Sequence, residues 1–226
     1  MEIMRTENLT KIYGEGDKKV MAVDHVNLSI ERGEFIAIIG ASGSGKSSLL
    51  HLLGGVDTPT EGKILLENTD ISKCSERELA FFRRRKVGLI YQFYNLIPNL
   101  TVKNNILLPL VLDHKKPDED YFNELIVKLG IENKLNHFPK ELSGGQEQRV
   151  AIARSLIYRP SIILADEPTG NLDQENTKEI MELLKFSNKA YKQTILLITH
   201  DEKIALQADR ILKISDGKIV GDQSND

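Results

Sequence analysis

The chain has 226 residues, 40% of them hydrophobic, which is enough for one substantial core or a core with a smaller satellite lobe. With 33 acidic and 30 basic side chains, a net charge of -3 and a pI near 6.0, it carries no basic field for capturing a phosphate backbone, so nucleic acid is not an expected partner. The lone Cys74 excludes an internal disulfide, no apolar run approaches the ~20 residues that cross a bilayer, and the N-terminus lacks a secretion-signal layout. A soluble protein, or one held on a membrane by a partner, is expected.

From Met1 to Ile30 apolar residues alternate with polar ones on either side of Gly14-Glu15-Gly16-Asp17, a pattern of antiparallel strands around a turn. Tyr13 stands just before that turn, where an aromatic can stack on a base. The run Glu34 to Ile39 is short, apolar and β-branched, which predicts a buried strand. It delivers the chain to Gly40-Ala41-Ser42-Gly43-Ser44-Gly45-Lys46-Ser47, a match to the G-x-x-x-x-G-K-[ST] phosphate loop at every fixed position. A helix is predicted from Ser48 to Leu53. The glycines let backbone amides approach phosphate oxygens, and the helix start adds positive potential. Gly40, Ser42, Gly43, Ser44, Gly45, Lys46, Ser47 and Ser48 are therefore the expected triphosphate contacts, with Lys46 on the outer phosphates and Ser47 on magnesium.

Gly54-Gly55 ends that helix, and Lys63 to Leu66 reads as a strand. Ser75-Glu76-Arg77-Glu78 is a capping box opening a helix that ends in Arg83-Arg84-Arg85-Lys86. That basic run suits a solvated helix end facing the negative pole of the dipole; an anionic lipid or acidic partner is the other reading. Val87 to Tyr91 predicts a buried strand closed by Gln92. Phe93 to Pro98 and Ile106 to Leu112 are apolar with poor periodicity, and Pro117-Asp118 opens a helix that runs through Leu129. Residues 93–155 are expected to be mostly helical and inserted between two strands of the main sheet.

Leu142-Ser143-Gly144-Gly145-Gln146 precedes a helical run from Glu147 to Tyr158, with Ser143 and Gln146 forming a second capping box. Two glycines and free amides at a helix start make a second anion site, and two sites in one chain raise the alternative that each completes a site on another copy. Ser161 to Glu167 is an apolar strand ending in two carboxylates. Adjacent strand residues point to opposite sides, so Asp166 suits a magnesium shell while Glu167 suits orientation or deprotonation of water. Asp173 precedes a helix from about Gln174. The strand Thr194 to Thr199 delivers His200, and strand ends are where open α/β sheets place ligands. Asp216-Gly217 predicts a hairpin between Arg210–Ser215 and Lys218–Val220, and the polar tail from Gly221 to Asp226 is expected to fray.

In this order, the phosphate loop, Gln92, Leu142 to Gln146, Asp166-Glu167, Asp173 and His200 resemble the nucleotide-binding subunit of ATP-binding cassette (ABC) transporters over nearly the whole chain. The resemblance implies an α/β phosphate-loop ATPase fold, with a mostly parallel core sheet, an antiparallel β subdomain and an inserted helical subdomain. It implies ATP and magnesium as ligands, Tyr13 as the adenine-stacking residue, and a homodimer with two ATP molecules between one copy's phosphate loop and the other's Ser143, Gly144, Gly145 and Gln146, with Asp173 nearby. Glu167 is then the general base, His200 a switch on the terminal phosphate, Lys46 a neutraliser of phosphate charge, and Gln92 a sensor of the metal held with Ser47 and Asp166. Glu147 stands where the family more usually has Gln.

Tyr91 to Pro98 and Ala165 to Asp173 resemble the branch serving lipoprotein release, macrolide and peptide export, and antimicrobial-peptide resistance. Abundant Lys, Ile and Asn lean toward the peptide-resistance kind; the cell-division type, which signals to a wall hydrolase, is the alternative. An integral membrane permease contacted partly through Phe93 to Leu112 is implied, which would hold the subunit on the cytoplasmic face of the membrane.

Overall fold

The structure, a computed structural model, describes residues 1–225. Its first strands, β1 (Glu2–Tyr13) and β2 (Val20–Glu31), pair antiparallel with Leu9 opposite Val26 and Tyr13 opposite Val20. The apolar β3 (Phe35–Ile39) runs into the phosphate loop, and α1 (Lys46–Leu53) begins at Lys46 rather than Ser48. Next come β4 (Glu61–Leu66), β5 (Thr69–Asp70) and α2 (Glu76–Lys86), the last opened by the Ser75–Glu78 capping box. After β6 (Val87–Tyr91) the chain forms α3 (Val102–Val111), α4 (Glu119–Lys128) and α5 (Gly144–Leu156). It returns through β7 (Ile162–Asp166), α6 (Gln174–Tyr191), β8 (Thr194–Ile198), α7 (Glu202–Ala205), β9 (Arg210–Ser215) and β10 (Lys218–Ser224).

Among the described residues these strands make two sheets: an antiparallel one in the order β2-β1-β4-β5 and a six-stranded one in the order β10-β9-β3-β8-β7-β6. In the larger sheet β9, β3, β8, β7 and β6 are parallel and only β10 runs against its neighbour. This is the mostly parallel α/β architecture that the sequence predicts. Because successive strand residues face opposite sides, β7 sends Ile162 and Leu164 into a core shared with Leu9, Ile30, Leu50 and Leu53 of the antiparallel sheet and α1. Ile163 and Ala165 go into the other core, with Ile106, Phe122, Val150 and Leu184 of α3 to α6. Each fully buried Leu or Ile contributes roughly 1.5–3 kcal/mol, so the parallel sheet is fixed from both faces. Its C-terminal edge, where β3, β6, β7 and β8 end together, is therefore a rigid mount for side chains that must hold position.

Three further expectations change. The tail does not fray at Gly221: β10 continues to Ser224, and Arg210 donates from Nε and Nη2 to both Asp222 oxygens at 2.7 Å. Asp226 lies outside the described residues. The basic end of α2 is not simply solvated, since Arg84 and Arg85 each reach the buried Asp113 at 2.5 Å and Lys86 reaches Glu67 at 2.7 Å. Those acids lie far along the chain, and no local pattern announces them. Finally, α5 starts at Gly144, so the signature glycines are its first turn, and Val150, Ile152, Ala153 and Leu156 face the core as predicted.

Candidate nucleotide site

The phosphate loop is shaped by close approach. At Gly45, with φ +101°, a Cβ would stand 2.0 Å from the Ala22 carbonyl oxygen; at Gly40 it would stand 2.3 Å from that of Ile214. No side chain fits at either. Lys46 is buried, and its Nζ donates to the Gly40 and Ala41 carbonyls at 2.8 Å each, which places an ammonium inside the loop. Ser44 Oγ is buried without a partner, a state that costs about 1–3 kcal/mol when nothing satisfies the hydroxyl. A hollow of about 310 Å³ opens over Gly43, Gly45, Lys46, Ser47 and Ser48, walled on its far side by Val20 and Gly217. A buried cation, an orphaned hydroxyl and the free amides of the α1 start fit a chain of phosphates. Gly43 and Ser42 lie on the exposed crest of the loop.

Tyr13 pairs in the hairpin register with Val20, which lines this hollow. It is 40% exposed, and its phenol donates to Asp57 at 2.8 Å. Burial, then this bond, pushes the phenol pKa up, and the Ser48 hydroxyl opposes the shift.

Along the strand ends a second hollow of about 270 Å³ is lined by Ser47, Gln92, Asp166 and Glu167, with Tyr91, Phe93 and Asn95. Burial raises the Asp166 pKa, and a hydrogen bond from Ser47 works against it. Hydroxyl, amide and carboxylate oxygens are the donors magnesium takes. Among the described residues no group of three or more His, Cys, Asp or Glu side chains could hold a metal unaided. β7 ends at Asp166, and Glu167 has φ +45°, so a turn rather than strand alternation separates the two carboxylates. The Glu167 amide donates to the Ile198 carbonyl at 3.0 Å, and its Oε2 lies 2.7 Å from His200 Nδ1. Gln92 is paired with Asn171: its Nε2 donates to Asn171 Oδ1 at 3.1 Å, and Asn171 Nδ2 donates back to the Gln92 carbonyl at 3.1 Å. Sequence reading missed Asn171, because an asparagine in the turn Pro168 to Asp173 looks like turn chemistry alone.

The remaining predicted residues form a separate group. Ser143 caps α5, its Oγ accepting from the Gln146 amide at 3.4 Å while Gln146 Oε1 accepts from the Ser143 amide at 3.0 Å. Asp173 caps α6, and the Asn176 amide hydrogen bond, at 2.8 Å, holds its pKa down. Asn176 joins the two caps: a Cβ on Gly145 would lie 2.1 Å from Asn176 Oδ1. Gly144 faces the Tyr94 hydroxyl in the same way, at 2.8 Å. Among the described residues no hydrogen bond runs from 143–146 to the phosphate loop.

A parallel sheet carrying a phosphate loop after its first strand, with an Asp-Glu pair and a histidine on neighbouring strand ends, defines a phosphate-loop nucleoside triphosphatase. The family model described as ABC transporter matches residues 23–170. Two dimeric structures of the cassette MJ0796, called a bacterial ABC transporter cassette, each match over 99% of both chains. One, in a post-hydrolysis state with ADP and Pi, is 39% identical with a TM-score of 0.91; the other is 40% identical at 0.90. The cbiO1 protein of Clostridium perfringens, part of the transporter complex cbiONQ, is 30% identical over 99% of this chain and 89% of its own, with a TM-score of 0.86. The chain belongs to the ABC transporter family and is one of its ATP-hydrolysing cassettes.

Proposed function

We propose that this cassette works as a homodimer that binds two ATP molecules between opposed faces and, by hydrolysing them, powers a membrane permease. The observation that carries the reading is the Glu167–His200 contact of 2.7 Å at the strand ends beside the phosphate loop, while Ser143 to Gln146 share no bond with that loop. A signature group that makes no bond to the phosphate loop of its own chain is available to close the site of a second copy. The MJ0796 cassette is described as dimeric, which supports an assembly of two copies.

In this reading Tyr13 stacks on the base, and Gly40 to Ser48 wrap the phosphates around Lys46. Ser47, Asp166 and Gln92 hold magnesium, which when bound withdraws charge from the phosphate oxygens. Glu167 accepts the proton of the attacking water. His200, bonded through Nδ1, fixes the carboxylate and presents its other ring nitrogen toward the terminal phosphate. Ser143, Gly144, Gly145, Gln146 and Asp173 complete the partner's site. Positioned proton transfer is worth about 10²- to 10⁴-fold. Glu167→Gln is therefore expected to keep ATP affinity within about twofold while turnover falls by that factor; wild-type turnover in a steady-state ATPase assay would remove Glu167 from this role.

The permease is proposed to dock through Phe93 to Leu112. Phe93, beside Gln92 in the second hollow, is 72% exposed, and Val111 and Leu112 at the end of α3 are 60% and 58% exposed. Residues 93–155 act as the helical unit that carries this surface, and the permease holds the subunit at the cytoplasmic face of the membrane. The stretches Tyr91 to Pro98 and Ala165 to Asp173 support the branch for peptide or antibiotic export and antimicrobial-peptide resistance. Phe93→Asp is expected to spare ATP binding by the isolated subunit and to abolish permease-coupled stimulation; loss of folding in the isolated subunit would make the segment local core instead.

A further inference from the structure

We propose that Asp57 is a positioning residue for the nucleotide base: it fixes the Tyr13 ring to the helix that carries the phosphate loop. The inference rests on Tyr13 being the base platform. Tyr13 ends β1 directly before the glycine-bearing turn, and a strand-end side chain with that exposure has rotamers to choose among. Asp57 removes the choice. One of its carboxylate oxygens accepts the Tyr13 phenol at 2.8 Å, and the other accepts Lys11 Nζ at 2.6 Å and the Thr58 amide at 2.7 Å. Lys11 Nζ also donates to the Thr58 carbonyl at 2.7 Å and lies 5.0 Å from the centre of the Tyr13 ring. The ring is thus gripped at its oxygen by a carboxylate and covered on one face by an ammonium, so a base has the opposite face to stack on.

Asp57 itself is set by α1. Its amide donates to the His51 carbonyl at 3.2 Å, just past the end of the helix whose first residues are Lys46 and Ser47. The span between base platform and phosphate cradle is therefore determined by one helix rather than by the Gly14 turn. A preset span favours a nucleoside polyphosphate over a bare polyphosphate, because the platform's ordering entropy is already spent before the ligand arrives.

The test compares dissociation constants for MgADP and for inorganic pyrophosphate, measured by titration calorimetry on wild type, Tyr13→Ala, Tyr13→Phe, Asp57→Asn and the double variant Tyr13→Phe/Asp57→Asn. Asp57→Asn and Tyr13→Phe are each expected to weaken MgADP by about three- to tenfold, to leave pyrophosphate unchanged, and to show no further loss when combined. Tyr13→Phe breaks the same bond without touching Lys11, which separates the brace from any effect on β1. Unchanged or tighter MgADP binding in Asp57→Asn overturns the inference, as does an equal loss for pyrophosphate. If Tyr13→Ala leaves MgADP binding unchanged, the base platform itself is wrong and the brace falls with it.

Discussion

Glu167 and His200 meet from positions 33 residues apart, and Gln92 and Asn171 from positions 79 apart. The first pair was legible because each member ends an apolar strand, and strand ends converge in a parallel sheet. The second was half legible: Gln92 closes a strand, whereas Asn171 sits in a turn whose local chemistry already accounts for it. The same holds for Asp57 and Asn176, whose partners are chosen by the fold and leave no mark in neighbouring sequence. Because Asn171 accepts from the Gln92 side-chain amide and donates to the Gln92 main-chain carbonyl, Asn171→Leu is expected to lower kcat by about tenfold with KM for ATP changed less than threefold. Equal kcat in the variant and the wild type would show that the amide pair has no part in orienting Gln92.

Elements were easier to foresee than their ends. Each of β3, β6, β7 and β8 is a short apolar run, and the capping boxes at Ser75 and Ser143 mark their helix starts within a residue. The C-terminal strand outruns its apolar residues: Gly221 to Ser224 is held by the Arg210–Asp222 pair and by antiparallel bonds to β9. The basic end of α2 is likewise held by a partner distant in sequence. Asp113, with its side chain 1% exposed, follows α3 and gathers Arg84, Arg85 and the Tyr158 hydroxyl, tying the ends of α2, α3 and α5 together. The Arg85 guanidinium in particular holds the Asp113 carboxyl down at about 2.

A folded-state value below the unfolded one, ordinarily ~3.9, means that this contribution is complete above about pH 4 and is lost as pH falls through 2. Glu67, held down to about 2 chiefly by Lys86, follows the same sign. The thermal midpoint is therefore expected to fall between pH 4 and pH 2. Asp113→Asn should lower it by roughly 5 °C at pH 7 and flatten that acid slope, as read by scanning calorimetry. An unchanged slope in the variant would mean that Asp113 does not tie the helices. At α1, Gly45→Ala is expected to abolish nucleotide binding, because its Cβ would lie 2.0 Å from the Ala22 oxygen.

For the whole molecule, the mixed α/β class follows from alternating strands and helices, but the strand order β10-β9-β3-β8-β7-β6 does not, since crossovers are chosen by packing on both faces of the sheet. The order matters to function. It brings β3, with the phosphate loop, beside β8, with His200, and β8 beside β7, with Asp166 and Glu167. It also leaves α5, with the signature at its start, in the helical layer on one face. In the proposed dimer the phosphate loop of one copy and the signature of the other each supply half of a site. The central claim is most directly tested by the solution mass of Glu167→Gln by light scattering, with and without saturating MgATP. The account predicts a mass of 25.5 kDa without nucleotide and twice that with it; a single-chain mass in the presence of bound MgATP would contradict it.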